Sequence, residues 1–229
     1  MEALDNPVWW SLEGAHASVA ERAGEVARYP SSYAPFIAVA DADADASGAR
    51  ELVAVGETVF FLGEIPRLDP SHWQRVGDFE VMQFTGEGRS AAVSADAQMV
   101  ELGAADRADM LGLAEAVYPF FFRAHTADLG RYLGYRCADE LVAMGGERMR
   151  LTGFQEVSTL CIKPEHARSG IAFRLFHQLV ASIWARGRGV FAHCVRGNDA
   201  VARFTERALG ELGGGLRATL PMAKVVRRA

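Results

Sequence analysis

Between Gly153 and Gly210 the chain reads GFQEVSTLCIKPEHARSGIAFRLFHQLVASIWARGRGVFAHCVRGNDAVARFTERALG. The apolar runs EVSTLCI and FAHCV predict two strands, and the helical spacing of apolar residues after each predicts two helices. Pro164 ends the first strand, and Ala167, Arg168, Ser169, Gly170, Ile171 and Ala172 lead into an amphipathic helix running to about Arg186. A strand feeding a small-residue turn that opens a helix leaves backbone N–H groups unpaired and pointing outward. Such a turn seats a diphosphate, and the helix dipole adds about 0.3–1 kcal/mol at an exposed end. The plainer alternative is that Gly170 only permits a tight turn.

The remaining elements fit an α/β plan with one sheet in the middle. The first part, residues 1–94, opens with a predicted helix, SLEGAHASVAERAGEVARY, capped by Ser11 and stopped by Pro30. FIAVA, TVFFLG and FEVMQF follow as strands of a small sheet. TGEGRSAAVSADAQ is small and polar, and a boundary is placed there. The second part, residues 98–229, begins with the strand MVEL and a helix from Asp106 through Ala116. A shorter helix is expected around Thr126 to Tyr132. YLGYRC, ELVAMGGERMRL and EVSTLCI read as strands, and RATLP and MAKVVRR as two more short ones at the end.

Composition narrows the function. With 229 residues, half of them hydrophobic and 23% charged, the chain is long enough and apolar enough to bury a core. A net charge of −5 argues against the broad basic surface of a nucleic-acid binder. The cysteines, Cys137, Cys161 and Cys194, lack the paired spacings that hold zinc and are read as reduced, so no metal is expected. The tract DADADAS (41–47) has Ala46 and Leu52 where a calcium loop needs Gly and Glu, which makes it a solvated loop. No export signal and no membrane-spanning window is visible, so a cytoplasmic chain without a membrane partner is expected.

The segment LCIKPEHARSGIA resembles motif A of the GNAT family of N-acetyltransferases, in which a strand ending in proline is followed by [Q/R]-x-x-G-x-[G/A] at a helix start. The resemblance extends to the order of elements, to FAHCV with Asn198 just after it, and covers about the last 130 residues. From GERMR to HCVRGN the chain is similar to a bacterial subgroup of predicted acetyltransferases that carries a preceding domain. The implied fold is a C-terminal GNAT domain, a central mixed sheet flanked by helices, after a smaller α/β domain or a degenerate GNAT-like half. The implied co-substrate is acetyl-CoA and the implied acceptor a small-molecule or peptide amine. A homodimer is compatible with this reading.

The resemblance also implies roles residue by residue. Leu160, Cys161 and Ile162 would offer backbone groups to the pantetheine arm. Arg168, Ser169, Gly170, Ile171, Ala172 and Phe173 would hold the pyrophosphate, and Asn198 would bind pantetheine or support the splay of the two strands. Ala167 departs from the motif, where Gln or Arg is usual. Glu156 stands where some members place a glutamate base, and His193 where others place an acid. Strand alternation puts Glu156, Ser158 and Leu160 on one side, and His193 with Phe191 and Val195. The alternatives are a surface carboxylate for Glu156 and a satisfied core histidine for His193.

At the position of the usual tyrosine acid the chain has Thr205, whose hydroxyl is a far poorer acid. Tyr118, Tyr132 and Tyr135 are the candidate replacements, unranked by sequence. On the acceptor side, Phe121, Arg123 and His125 suit a small, partly apolar molecule, with Arg123 able to pair a carboxylate. Core packing is the simpler role for the phenylalanines. Cys161 and Cys194 lack an activating partner, so direct attack of the amine on the thioester is expected, without an acyl-enzyme. A catalytically weak CoA-binding regulatory or interaction domain is the alternative, favoured by Ala167 and Thr205.

Overall fold

The computed structural model describes residues 3–86, 88 and 96–229. A short helix, α1 (Pro7–Glu13), starts with proline at its first position, where the missing N–H costs nothing. The helix expected from Ser11 to Tyr29 does not form. Instead β1 (Glu21–Ala23) and β2 (Val26–Arg28) make a hairpin whose turn contains Gly24 at φ 57, a left-handed conformation that suits glycine and breaks a helix. Ser11 is buried inside α1 rather than capping it. Its Oγ lies 3.0 Å from His16 Nδ1 and accepts hydrogen bonds from the Tyr29 hydroxyl at 2.9 Å and from the Arg150 backbone N–H at 3.0 Å.

β3 (Ile37–Val39) completes a three-stranded antiparallel sheet, and α2 (Ala49–Leu52) follows. β4 (Thr58–Leu62) and β5 (Trp73–Gly86) then enter a second sheet. Next come β6 (Met99–Leu102), α3 (Arg107–Val117), β7 (Tyr132–Cys137), β8 (Glu140–Leu151) and β9 (Phe154–Ile162). The chain ends with α4 (Ile171–Ala185), β10 (Gly189–Val195), α5 (Asp199–Gly210) and β11 (Gly215–Arg227). The expected helix near Thr126 is a 3-10 turn, Thr126–Leu129, stopped by Gly130 before β7 begins.

Among the described residues the large sheet has eight strands in the order β4-β11-β5-β10-β9-β8-β7-β6. The predicted boundary falls largely on residues outside those described, but the strands on either side of it share this one sheet. β5 sits between β10 and β11 and pairs antiparallel with both. β11 is one strand where two short ones are expected. Pro221 is accommodated within it because its carbonyl accepts from Gly63 N–H on the β4 side, so its nitrogen faces that side too. The β4 ladder starts only at Met222, and no N–H is required there.

Two faces of the sheet are buried differently. α4 and α5 cover one, where Val157, Leu175, Leu179, Val190 and Leu209 form a core. On the other, α1 and the segment through Phe36 pack on Met149, Phe191 and Leu220, while α3 packs on Met144 and Cys161. The acids at 41–47 bond locally: Asp45 caps a 3-10 turn by accepting from Ser47 N–H at 2.8 Å. Among the described residues no helix is long and apolar enough to cross a membrane.

Candidate functional site

β9 and β10 run parallel and pair only at Gly189↔Phe154, Val190↔Gln155 and Phe191↔Glu156. Beyond Glu156 the strands part, so among the described residues the β10-facing edge of β9 from Val157 to Ile162 has no strand partner. Thr159 sits in this stretch at φ 54, an uncommon conformation for a β-branched residue, and the β8–β9 register shifts around it. The extra residue reverses the alternation. Leu160 packs with Val157 on the α4 face, and Cys161 faces α3. Leu160 therefore does not share a face with Glu156, as strict alternation would require. His193 does lie with Phe191, ring centroids 5.5 Å apart.

At the mouth of the splay, Lys163 leads through a 3-10 turn (Pro164–His166) into Arg168 at φ 75 and Gly170 at φ 78, and α4 begins at Ile171. Among the described residues the N–H groups of Arg168, Gly170, Ala172 and Phe173 meet no backbone acceptor. Arg168, Ser169 and Gly170 are exposed. Sequence reasoning missed Arg174, one turn into α4. Its guanidinium donates to Ser169 O at 3.3 Å, to Asp96 at 3.1 Å and to the Tyr135 hydroxyl at 3.1 Å. Exposed N–H groups at a helix start, with arginines beside them, are the kind of arrangement that can accept an anion.

Asn198 caps α5, its Oδ1 accepting from Val201 N–H at 3.4 Å, and its backbone carbonyl accepts the Cys194 thiol proton at 3.5 Å. Burial raises both thiols above their ordinary range, Cys161 to about 12, so neither is a thiolate nucleophile.

Glu156 is fully buried and saturated. Oε1 accepts from Arg148 Nη2 and His193 Nδ1, each at 2.9 Å, and Oε2 accepts from Arg148 Nε at 2.9 Å and Met149 N–H at 3.1 Å. Burial alone would raise its pKa, but Arg148 and His193 outweigh burial and hold the carboxylate well below the usual range. His193 Nε2 is met by the Gln83 amide at 3.0 Å. The orientation of that amide is set twice over: Nε2 donates to Leu4 O at 2.8 Å, and Oε1 accepts from Arg217 at 3.0 Å. Since the Gln83 amide nitrogen donates, His193 Nε2 accepts there and Nδ1 donates to Glu156. Arg217 continues to Asp5 at 2.8 Å, so one polar network joins the first described residues to the splay. Gln83 and Arg148 were missed; the available signal was a polar residue at an inward position of an apolar strand.

The three candidate tyrosines differ in burial. Tyr132 is buried beside Thr159 Oγ1 at 3.4 Å, its phenol pushed up by burial, and Tyr135 is held by Asp96 and Arg174. Tyr118, just after α3, is 38% exposed. It packs against Phe120 and Phe121, and burial pushes its phenol above the ordinary range. Thr205 is buried in α5, out of contact with solvent.

On the acceptor side, Phe121 stacks on Phe36 at 5.4 Å and meets Phe60 and Tyr118. Arg123 is half-buried, donates to Phe122 O at 3.0 Å and makes no ion pair among the described residues; burial lowers its pKa. His125 stacks on Tyr33 and is held by Asp128 at 2.8 Å. A hollow of about 380 Å³ beside β5 and β11, lined by Phe79, Pro221 and Met222 among others, contains none of these residues.

Comparison with known proteins places this geometry. A family model described as FR47-like protein matches residues 132–214. A crystal structure from Novosphingobium aromaticivorans assigned to the GNAT family of acetyltransferases is 28% identical, covers all of both chains and superposes with a TM-score of 0.89. A GCN5-related N-acetyltransferase from Kribbella flavida is similar in fold at 14% identity and TM-score 0.59, over 100% of this chain and 97% of that one. A GCN5-related N-acetyltransferase-like protein from Streptococcus suis shares the fold at 10% identity and TM-score 0.57, over 97% and 92%. No curated protein matches the chain.

Proposed function

The chain is a GNAT-fold protein, and from that premise we propose that it is an acetyl-CoA-dependent N-acetyltransferase, acting in the cytoplasm on an amine of a small molecule or peptide. The observation that carries this reading is the parting of β9 and β10 after Phe191↔Glu156, with the exposed N–H nest of Arg168 to Phe173 at its mouth. In this reading the diphosphate sits on the nest between Arg168 and Arg174, and pantetheine bonds the free edge of β9 through Leu160, Cys161 and Ile162. Asn198 holds the far side of the splay by capping α5.

The amine attacks the thioester carbonyl directly; the C–N bond forms, the C–S bond breaks and CoA leaves as a thiolate. Tyr118 supplies the proton that Thr205 cannot. Glu156 and His193 act as positioning residues, fixing the strand edge beside the reacting carbonyl, rather than carrying protons to solvent. Phe121, Arg123 and His125 wall the acceptor side, with Arg123 the cation free to meet an acceptor carboxylate.

Titration calorimetry with acetyl-CoA and with CoA tests the first half, and thiol release against a broad amine panel the second. Submicromolar to micromolar binding with turnover supports the reading; no heat and no stabilisation with either nucleotide overturns it. The buried Thr205 favours one second reading, a CoA-binding module without catalysis, which predicts binding but no release above hydrolysis.

A further inference from the structure

If the chain transfers an acetyl group to nitrogen, the reading on which this inference rests, the saturation of Glu156 constrains the chemistry of the acceptor. Each oxygen of this carboxylate already accepts two hydrogen bonds, from Arg148, His193 and the Met149 N–H. The usual relay partner is blocked as well, because Nε2 of His193 accepts from Gln83, whose other amide proton is committed to Leu4 O. No lone pair of Glu156 or His193 is left for a substrate ammonium or for a water that would carry its proton.

The groups facing Glu156 from the surrounding elements do not replace it. Arg148 on β8 neutralises its charge, so the cluster offers an arriving cation no net attraction. Tyr29 from the small sheet and Tyr132 from β7 are buried phenols pushed above their ordinary range. His16 is buried against Ser11 and Tyr29, with Arg150 nearby. His125, on the acceptor side, has only its Nδ1 engaged, by Asp128 and Arg107, and no contact among the described residues joins it to Glu156.

We infer that the acceptor is a weakly basic amine, one substantially uncharged at neutral pH, such as a peptide α-amine, an aryl amine or a hydrazine, and not a lysine side chain or polyamine. At pH 7 an alkylamine with a pKa near 10.4 is roughly one part in 2,500 neutral, whereas an α-amine with a pKa of about 7.7–8.0 is roughly a tenth neutral. With neither Glu156 nor His193 free to take a proton, the enzyme works on the neutral fraction. The reaction balances without one: the neutral amine attacks, C–N forms, C–S breaks, the nitrogen gives its proton to water and the thiolate takes one from Tyr118 or water.

The test is the pH dependence of kcat/KM from pH 6 to 10, by thiol release at saturating acetyl-CoA. The acceptors are a panel of short peptides with a free α-amine, matched peptides with a blocked N-terminus and one lysine, spermidine, and substituted anilines. The expected result is kcat/KM at pH 7 at least about 100-fold higher for the weak bases, levelling off at each amine's own pKa, while any alkylamine rate climbs tenfold per pH unit towards pH 10. Lysine peptides or spermidine within about tenfold of the weak bases at pH 7, with a plateau near neutrality, would overturn the inference yet leave N-acetyl transfer standing. Acetyl-CoA binding with no release from any amine at any pH overturns both.

Discussion

The carboxylate of Glu156 and the guanidinium of Arg148 meet side by side, Oε2 on Nε and Oε1 on Nη2, both at 2.9 Å and both nearly out of water. The Arg148 guanidinium also lies 4.9 Å from the Phe36 ring centroid, so the pair joins β8 and β9 to the segment before β4. Breaking one side of such a pair leaves a buried charge alone, which is far worse than removing both.

Arg148→Met is therefore expected to cost about 3–5 kcal/mol of stability, while Arg148→Met with Glu156→Leu recovers most of the loss. Urea unfolding of the single and double variants measures this. A single variant within about 1 kcal/mol of the parent would show that the pair is solvated in solution.

Gly170 holds φ 78 at the start of α4, and a Cβ there would come within 3.2 Å of Arg174 Nη1. Gly170→Val is expected to strain the nest and weaken acetyl-CoA binding by at least about tenfold, with a stability loss of about 1–2 kcal/mol. Calorimetry together with thermal unfolding separates the two effects, and unchanged affinity would place the diphosphate elsewhere.

Tyr118 is the exposed member of the three candidate tyrosines, Tyr132 and Tyr135 being buried. Tyr118→Phe should lower kcat about 10²-fold with KM for acetyl-CoA nearly unchanged, as expected for loss of a general acid. Thr205→Tyr should not restore the rate, since residue 205 is buried in α5. Steady-state kinetics of the three proteins decides the matter, and an unaltered kcat in Tyr118→Phe removes the tyrosine from the mechanism.

His16 is buried against Ser11 and Tyr29, and burial, with Arg150 beside it, lowers its pKa from 6.5 to about 4. Between these values the unfolded chain binds a proton that the folded chain refuses. The His16 contribution is therefore complete above about pH 6.5 and is lost as pH falls towards 4, up to about 3 kcal/mol. Glu156, whose pKa is depressed, adds its own loss only below the ordinary carboxylate range. Urea midpoints at pH 7.5, 6.0 and 4.8 should fall in that order, and His16→Gln should flatten the slope.

Much of the site was legible in the order of residues. EVSTLCI, the turn at Arg168 to Gly170, the helix after it and FAHCV all formed where the apolar spacing put them, because each is a local signal. The N-terminal helix failed because Ser11, a good cap in isolation, found better use inside the core with His16 and Tyr29, while Gly24 turned the chain into a hairpin. Alternation along β9 failed at Thr159, where a single residue in the left-handed region exchanges the two faces.

The one-dimensional signals of period, turn residues and helix starts were enough to determine an α/β chain with a small-residue turn opening a helix between two strands, since each acts over a few neighbours. Tertiary structure alone decided that β5 stands between β10 and β11, that β10 leaves β9 after Phe191, and that Gln83, His193, Glu156 and Arg148 close into one network. Those partners lie up to 110 positions apart. Hydrogen bonds between residues so distant exist only once burial of the sheet has brought their strands together, and no local pattern encodes which of them will be left with a free lone pair.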